Sequence, residues 1–140
     1  MSRTQNLLLI ACLALVAVLS TYTYFAQQNN ASHWYSQAQV SLGKTLFTDN
    51  CAACHGDQAQ GANNWMQADA QGNRPAPPLD GSGHAWHHPL ADLANTVSEG
   101  RGAMPAWKDT LTEAEIVATL AWTQSLWPEA TYTAWSDAQP

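Results

Sequence analysis

Apolar and polar positions along this chain fall into blocks that change character sharply. From Leu7 to Ala26 the run LLLIACLALVAVLSTYTYFA carries no charge and reaches the length a helix needs to cross a bilayer. Residues 27–35, QQNNASHWY, are polar and aperiodic. From Ser36 to Asn50 the positions Val40, Gly43 and Phe47, with the neighbouring pair Leu42 and Leu46, recur at the three-to-four spacing of an amphipathic helix. Gly56 to Ala76 is rich in Gln, Asn, Gly and Asp and reads as a loop, with Trp65 and Met66 its only large apolar residues. Pro77-Pro78-Leu79-Asp80-Gly81-Ser82-Gly83 then imposes a rigid turn. A second helix fits Pro89 to Glu99, with Leu90, Leu93 and Val97 on one face and Gly100 and Gly102 ending it. Thr112-Glu113-Ala114-Glu115 is a capping box opening a last helix through Ile116, Val117, Leu120, Ala121 and Gln124, which Pro128 stops after Trp127. The tail, 129–140, either packs through Trp135 or hangs free.

The pattern therefore predicts an all-α chain divided into an apolar segment (1–26), a polar tether (27–35), a helical domain (36–128) and the tail. Arg3 precedes the apolar segment and no Lys or Arg follows it until Lys44, so the start stays cytoplasmic and the domain lies on the periplasmic or external face of the inner membrane. The segment is either a retained single-pass anchor through residues 7–26 or a signal peptide whose removal would leave the domain in the periplasm. For removal, Leu7 to Leu19 has signal-peptide length and Val18-Leu19-Ser20 is a tolerable site. Retention is favoured: the bulky Tyr24 stands where cleavage after Ala26 wants a small residue, and Tyr22, Tyr24 and Phe25 form an interfacial aromatic belt. Leu9-Ile10-Ala11-Cys12 resembles a lipoprotein box, but the apolar run continues far beyond it, so Cys12 reads as a small apolar residue.

Chemistry concentrates at Cys51-Ala52-Ala53-Cys54-His55. Two cysteines three apart with a histidine directly after the second form the attachment signature of a c-type haem: each thiol adds across one vinyl group, and the histidine is carried under the iron. A structural zinc site would want a second ligand pair, and the remaining cysteine, Cys12, lies in the apolar run. A thioredoxin-like pair would want a strand before and a helix after, whereas the flanks here read as helix and then loop.

A sixth iron ligand is needed for an electron carrier. Met104 sits in Gly102-Ala103-Met104-Pro105-Ala106-Trp107, a short non-helical segment between two predicted helices, and Met66 in the loop is its rival. Seven tryptophans and only 11% charged residues suit a core wrapped around a large flat cofactor. Beyond residue 26 four basic side chains face eleven acidic ones, a net of −7, which excludes a nucleic-acid binder and favours redox partners with basic docking surfaces. Three histidines and a tryptophan crowd Gly83-His84-Ala85-Trp86-His87-His88. They read as propionate or helix-capping groups, with docking or proton coupling, or a second metal at His84, His87 and His88, as alternatives. His33 reads as solvated.

A helix entering Cys51-Ala52-Ala53-Cys54-His55-Gly56, a Pro-Pro-Leu-x-Gly turn, a Met-Pro-x-Trp segment and a final helix, in that order from Ser36 to Trp127, resemble the class I c-type cytochromes. The resemblance implies a helical domain around one covalently attached haem c. It implies thioether links at Cys51 and Cys54, His55 as proximal and Met104 as distal ligand, the Pro77 carbonyl accepting from the proximal imidazole, and Trp107 beside the distal methionine. The implied function is one-electron transfer by a membrane-tethered carrier between respiratory or photosynthetic partners, without catalysis of its own. The alternatives are a fixed haem subunit of a larger membrane oxidoreductase, and a sensor or small peroxidase with an open iron.

Overall fold

The structure, a computed structural model, describes residues 3–30 and 33–139, with the side chains of residues 6, 7 and 25–30 outside the described set. The readings of Met1, of the Phe25 ring in the aromatic belt and of tether residues 31 and 32 therefore lie outside the described residues. The chain divides into two compact units, Met1–Trp34 and Tyr35–Pro140.

The first unit is the helix α1, Arg3–Asn30. Its stretch Arg3–Tyr24 is long and apolar enough to cross a membrane, and its apolar side chains, from Leu8 to Leu19, are exposed. Ser20, Thr21 and Thr23 turn their hydroxyls back onto the carbonyls of Val16, Ala17 and Ser20 at 2.8, 3.0 and 2.9 Å. Such back-bonding satisfies a hydroxyl within its own helix, as a lipid environment requires. The helix runs four residues into the segment expected to be an aperiodic tether. A helix already nucleated by a long apolar run extends at little cost through Gln and Asn, since propagation needs only one residue ordered per hydrogen bond.

The second unit is built on two helices that touch along their length, α2 (Gln37–Asn50) and α5 (Glu113–Ser125), with the one-turn α3 (Ala52–His55) and α4 (Leu90–Glu99) around them and α6 (Glu129–Asp137) closing the chain. Ser36 and Gln39 form a capping box at the start of α2, and Thr112 and Glu115 form one at α5. Gly43 of α2 is the point of closest approach: a Cβ there would stand 1.9 Å from the Ala118 carbonyl oxygen. Phe47 follows one turn later, 1% exposed, its ring 4.4 Å from that of Trp122. Leu42, expected on the same apolar face, is exposed, because Val40, Gly43, Leu46 and Phe47 form the side of α2 that is packed and position 42 points away from it.

Helix α5 is buried nearly all round, from Ile116 through Ala118 to Gln124. Its second side, Leu111, Ile116 and Leu120, packs against Leu46, Leu90, Leu93, Val97 and Trp107. None of α4 is fully buried, and its apolar face stays half exposed. The tail is folded: Tyr132 and Trp135 of α6 are buried, with Tyr35 edge-on to Tyr132 at 5.9 Å and Trp127 edge-on to Trp135 at 5.8 Å.

Candidate functional site

Helix α2 delivers the chain straight into the cysteine turn. The Cys51 N–H donates to the Phe47 carbonyl at 2.8 Å and closes α2, while the Cys51 carbonyl accepts from Cys54 and His55 at 3.1 and 2.9 Å and opens α3. One helical turn thus presents Cys51, Cys54 and His55 together. All the cysteines are free thiols; Cys51 is half-buried and Cys54 exposed. Burial, and then the neighbouring Cys54, push the Cys51 thiol up to about 11, so it is neutral at physiological pH.

His55 is buried, 7% exposed, and its ring lies 6.4 Å from that of Phe47. Its Nδ1 is 3.0 Å from the carbonyl oxygen of Pro77. A carbonyl can only accept, so Nδ1 carries the proton and Nε2 keeps its lone pair. Burial holds the pKa of His55 below the ordinary imidazole value despite the opposing pull of that hydrogen bond, which favours the neutral, ligating form.

Pro77 is held by its neighbours. Gly61, at φ 68°, passes so close that a Cβ on it would stand 2.4 Å from Pro78 N and 2.5 Å from Pro77 C, and its N–H donates to the His55 carbonyl at 2.7 Å. On the other side the Leu79 N–H donates to the Ala59 carbonyl at 2.7 Å, and the Trp127 indole Nε1–H donates to the Leu79 carbonyl at 2.8 Å.

Met104 is half-buried at the end of a turn that begins at Arg101, the two residues exchanging both backbone hydrogen bonds at 3.0 Å. Gly100, at φ 76°, leaves α4 against this turn; a Cβ there would meet the Met104 carbonyl oxygen and the Ala106 nitrogen at 2.7 Å each. Trp107 is half-buried, its N–H shared between the carbonyls of Val97 and Ser98 at 3.1 Å. Met66, by contrast, is 66% exposed on the loop.

The histidines after the proline turn do not converge. His84 stacks on Trp65 with centroids 5.6 Å apart and planes 10° apart, His88 meets His84 edge-on at 5.7 Å, and His87 stacks on Trp86 at 3.7 Å. Among the described residues no group of three His, Cys, Asp or Glu side chains is arranged to hold a metal ion, so the second-metal alternative at His84, His87 and His88 gains no support. Burial first, then His88, His87, Arg101 and Arg74, hold His84 below the ordinary imidazole pKa.

The residues present fit a c-type haem by the chemistry of the donor set. They offer two free thiols on one turn, a neutral imidazole with Nε2 available, a thioether in a pinned turn and a half-exposed apolar face on α4 and Trp107. The sequence offered Trp135 as a packing residue of the tail but gave no role to Trp127, and the indoles of Trp127 and Trp135 reach carbonyls 48 and 47 residues away. Only their residue type, an apolar ring with one donor, hinted at it.

Comparison with known proteins agrees with this geometry. Residues 38–122 match the protein family described as cytochrome c oxidase, cbb3-type, subunit III. Over 89 residues, 63% of the chain, the sequence is 42% identical to the cbb3-type cytochrome c oxidase subunit CcoP of Azospirillum sp. (strain B510), of which the match spans 29%. It is 38% identical to the cytochrome c6 of Tetradesmus obliquus over 61% of this chain and 88% of that one. Among solved structures, cytochrome CL of Methylophaga aminisulfidivorans MPT superposes with a TM-score of 0.54 at 25% identity, covering 71% of this chain and 61% of that one. A helical domain entered through a Cys-x-x-Cys-His turn, with its histidine hydrogen-bonded and these relatives beside it, belongs to the class I c-type cytochromes, in the family of the cbb3-type cytochrome c oxidase subunit III.

Proposed function

We propose that this chain carries one haem c and passes single electrons between protein partners from a membrane tether. In this reading Cys51 and Cys54 would form the thioether links, His55 Nε2 and the Met104 sulfur would hold the iron, and Trp107 would lie beside the methionine. The observation that carries it is the Nδ1 of His55 at 3.0 Å from the Pro77 carbonyl, which fixes the tautomer and leaves Nε2 to the iron, on the turn that bears both cysteines.

Bound there, the haem supplies a one-electron iron couple. The chain supplies the rest. The two cysteines fix the position of the macrocycle, and Pro77 orients the imidazole and holds its proton at Nδ1. The thioether of Met104 favours the reduced state over what a second imidazole would give. Leu90, Leu93, Val97 and Trp107, half-buried against Leu111, Ile116 and Leu120, would lend apolar surface near the methionine. With His55 and Met104 both holding the iron, no position would remain for oxygen or peroxide, and the chain would serve as a carrier and not a catalyst. The net charge of −7 beyond residue 26 steers it toward partners with basic docking surfaces. Helix α1 anchors it in the inner membrane, with the haem domain on the periplasmic or external face.

The matched stretch is only 29% of the Azospirillum oxidase subunit, and that likeness favours a second reading, a fixed haem subunit of a larger membrane oxidoreductase. Stable co-purification with a partner complex supports the subunit reading, and monomeric purification supports the shuttle. For the site itself, the test is the weak far-red charge-transfer band of methionine-ligated ferric haem, recorded for the parent, Met104→Ala and Met66→Ala. The band is expected in the parent and in Met66→Ala and lost in Met104→Ala. A parent that lacks it, and whose high-spin spectrum responds to cyanide, refutes the carrier reading.

A further inference from the structure

The proximal turn is held from behind by the C-terminal segment. Trp127 follows the C-cap of α5, its indole Nε1–H donates at 2.8 Å to the carbonyl of Leu79, and Leu79 lies two residues after Pro77, whose carbonyl faces His55 Nδ1. The same short stretch is gripped on its other edge by the Leu79 N–H to the Ala59 carbonyl, 2.7 Å. Ala59 is fully buried and sits at φ 56°, a left-handed conformation that costs an alanine about 1 kcal/mol or more and persists only where the surroundings impose it. Gly81 brings the turn flush against the tryptophan: a Cβ there would stand 2.9 Å from Pro128 Cδ and 3.2 Å from Trp127 Cα and Cδ1. Trp127 is itself 7% exposed and backed edge-on by Trp135 of α6 at 5.8 Å. The Trp135 indole donates to the His88 carbonyl at 2.9 Å, so the far end of the stretch 79–88 is tied to α6 as well.

We propose that Trp127 is a positioning residue for the haem: by fixing the Leu79 carbonyl it sets the Pro77 carbonyl against His55 Nδ1 and so tunes the reduction potential. This rests on the assignment of His55 as the proximal ligand. A prolyl pair has little freedom of its own, its φ being locked, so the Pro77-Pro78-Leu79 segment moves nearly as one rod about its ends. One end is set by Gly61 and the other by Leu79. Releasing the Leu79 carbonyl lets the rod pivot away from the imidazole. The Nδ1–H bond then lengthens, the ring becomes a poorer base, and the oxidised iron loses stabilisation relative to the reduced iron.

The test uses the full-length haem-loaded protein in detergent, with Trp127→Phe, which keeps an aromatic ring and deletes the donor, and Trp135→Phe as the matched deletion of the other indole donor. Two quantities are read: solvent exchange of the His55 Nδ1–H by NMR in the reduced protein, and the ratio of reduced to oxidised protein at a fixed ambient potential. Trp127→Phe is expected to speed the exchange about tenfold, the loss of roughly one hydrogen bond. It is also expected to raise the reduced-to-oxidised ratio about threefold, as the imidazole becomes less basic. Trp135→Phe lowers stability but leaves both readouts within error. Should Trp127→Phe fail to assemble, the isosteric benzothienylalanine at position 127, which replaces only the N–H by sulfur, gives the same two readouts. Unchanged exchange and ratio at position 127, or equal changes at 127 and 135, overturn the proposal. Absence of covalently attached haem from the parent, read by haem staining of the denatured protein, instead overturns the assignment of the site beneath it.

Discussion

Replacing Gly43 by alanine tests whether α2 and α5 cross where the structure puts them. Alanine in a helix is ordinarily better than glycine by about 1 kcal/mol, so on an exposed face this change would stabilise. Here the new Cβ would stand 1.9 Å from the carbonyl oxygen and 2.5 Å from the carbonyl carbon of Ala118, and 3.0 Å from Trp122 Cβ. To bring the first of these to an ordinary contact, α5 must retreat by about 1.5 Å, and the obstacle is helix backbone, which cannot rotate aside as a side chain would. Overpacking of this kind costs about 1–3 kcal/mol even after relaxation, enough to reverse the propensity gain. The retreat also loosens Phe47 from Trp122, 4.4 Å apart between centroids, and Phe47 is the neighbour of His55. For a unit of this size the loss corresponds to a fall in Tm of about 5–15 °C. Calorimetry of the haem-loaded protein, with Ser41→Ala on the exposed face of α2 as the baseline within about 0.5 kcal/mol, measures it. A Gly43→Ala protein as stable as the parent or more so would refute the close crossing.

The cap of α5 and the turn before Met104 give three further outcomes. Thr112→Ala should cost about 1 kcal/mol in denaturant unfolding, the worth of a hydroxyl cap. The backbone N–H of Thr112, then its hydroxyl, hold the Glu115 carboxyl below its ordinary pKa. Because the folded value is the lower one, this contribution is present above the ordinary carboxylate range and fades as pH falls through the depressed value; Glu115→Ala should flatten the acid limb of the stability curve, and an unchanged limb would count against the box. Gly100→Ala places a Cβ 2.7 Å from the Met104 carbonyl at a φ of 76°, so it should weaken the far-red methionine band and destabilise by about 1–2 kcal/mol, with an unperturbed spectrum the contrary result.

Helix α6 adds two buried aromatic rings to the domain, and its position bears on the haem site more than its distance in sequence suggests. Trp135 of α6 donates to the His88 carbonyl, and Trp127, which precedes α6 in the chain, donates to the Leu79 carbonyl.

The local chemistry of the chain was legible without a fold. The cysteine turn is a motif because its parts must lie within one helical turn, so spacing alone carries it. The capping box at Thr112 and the glycines ending α4 are readable for the same reason: the partners are three or four residues apart. Ser36 and Gln39 form a box as well, readable in principle yet weaker because Gln is a less common third residue. What the tertiary structure alone decided is everything that depends on residues far apart in sequence. Leu42 and Leu46 look alike in the pattern, and only the angle at which α2 meets α5 exposes one and half-buries the other. Three histidines in five residues show no ring partners in the sequence, and only the fold brings Trp65, some twenty residues earlier, onto one of them. Trp127 reads as the last residue of a helix, and its role at Leu79 depends on a hydrogen bond across 48 residues. Periodicity encodes which side of an element is apolar, but a hydrogen bond between loops is set by where packed helices carry their ends, and that is determined only once the chain has closed on itself.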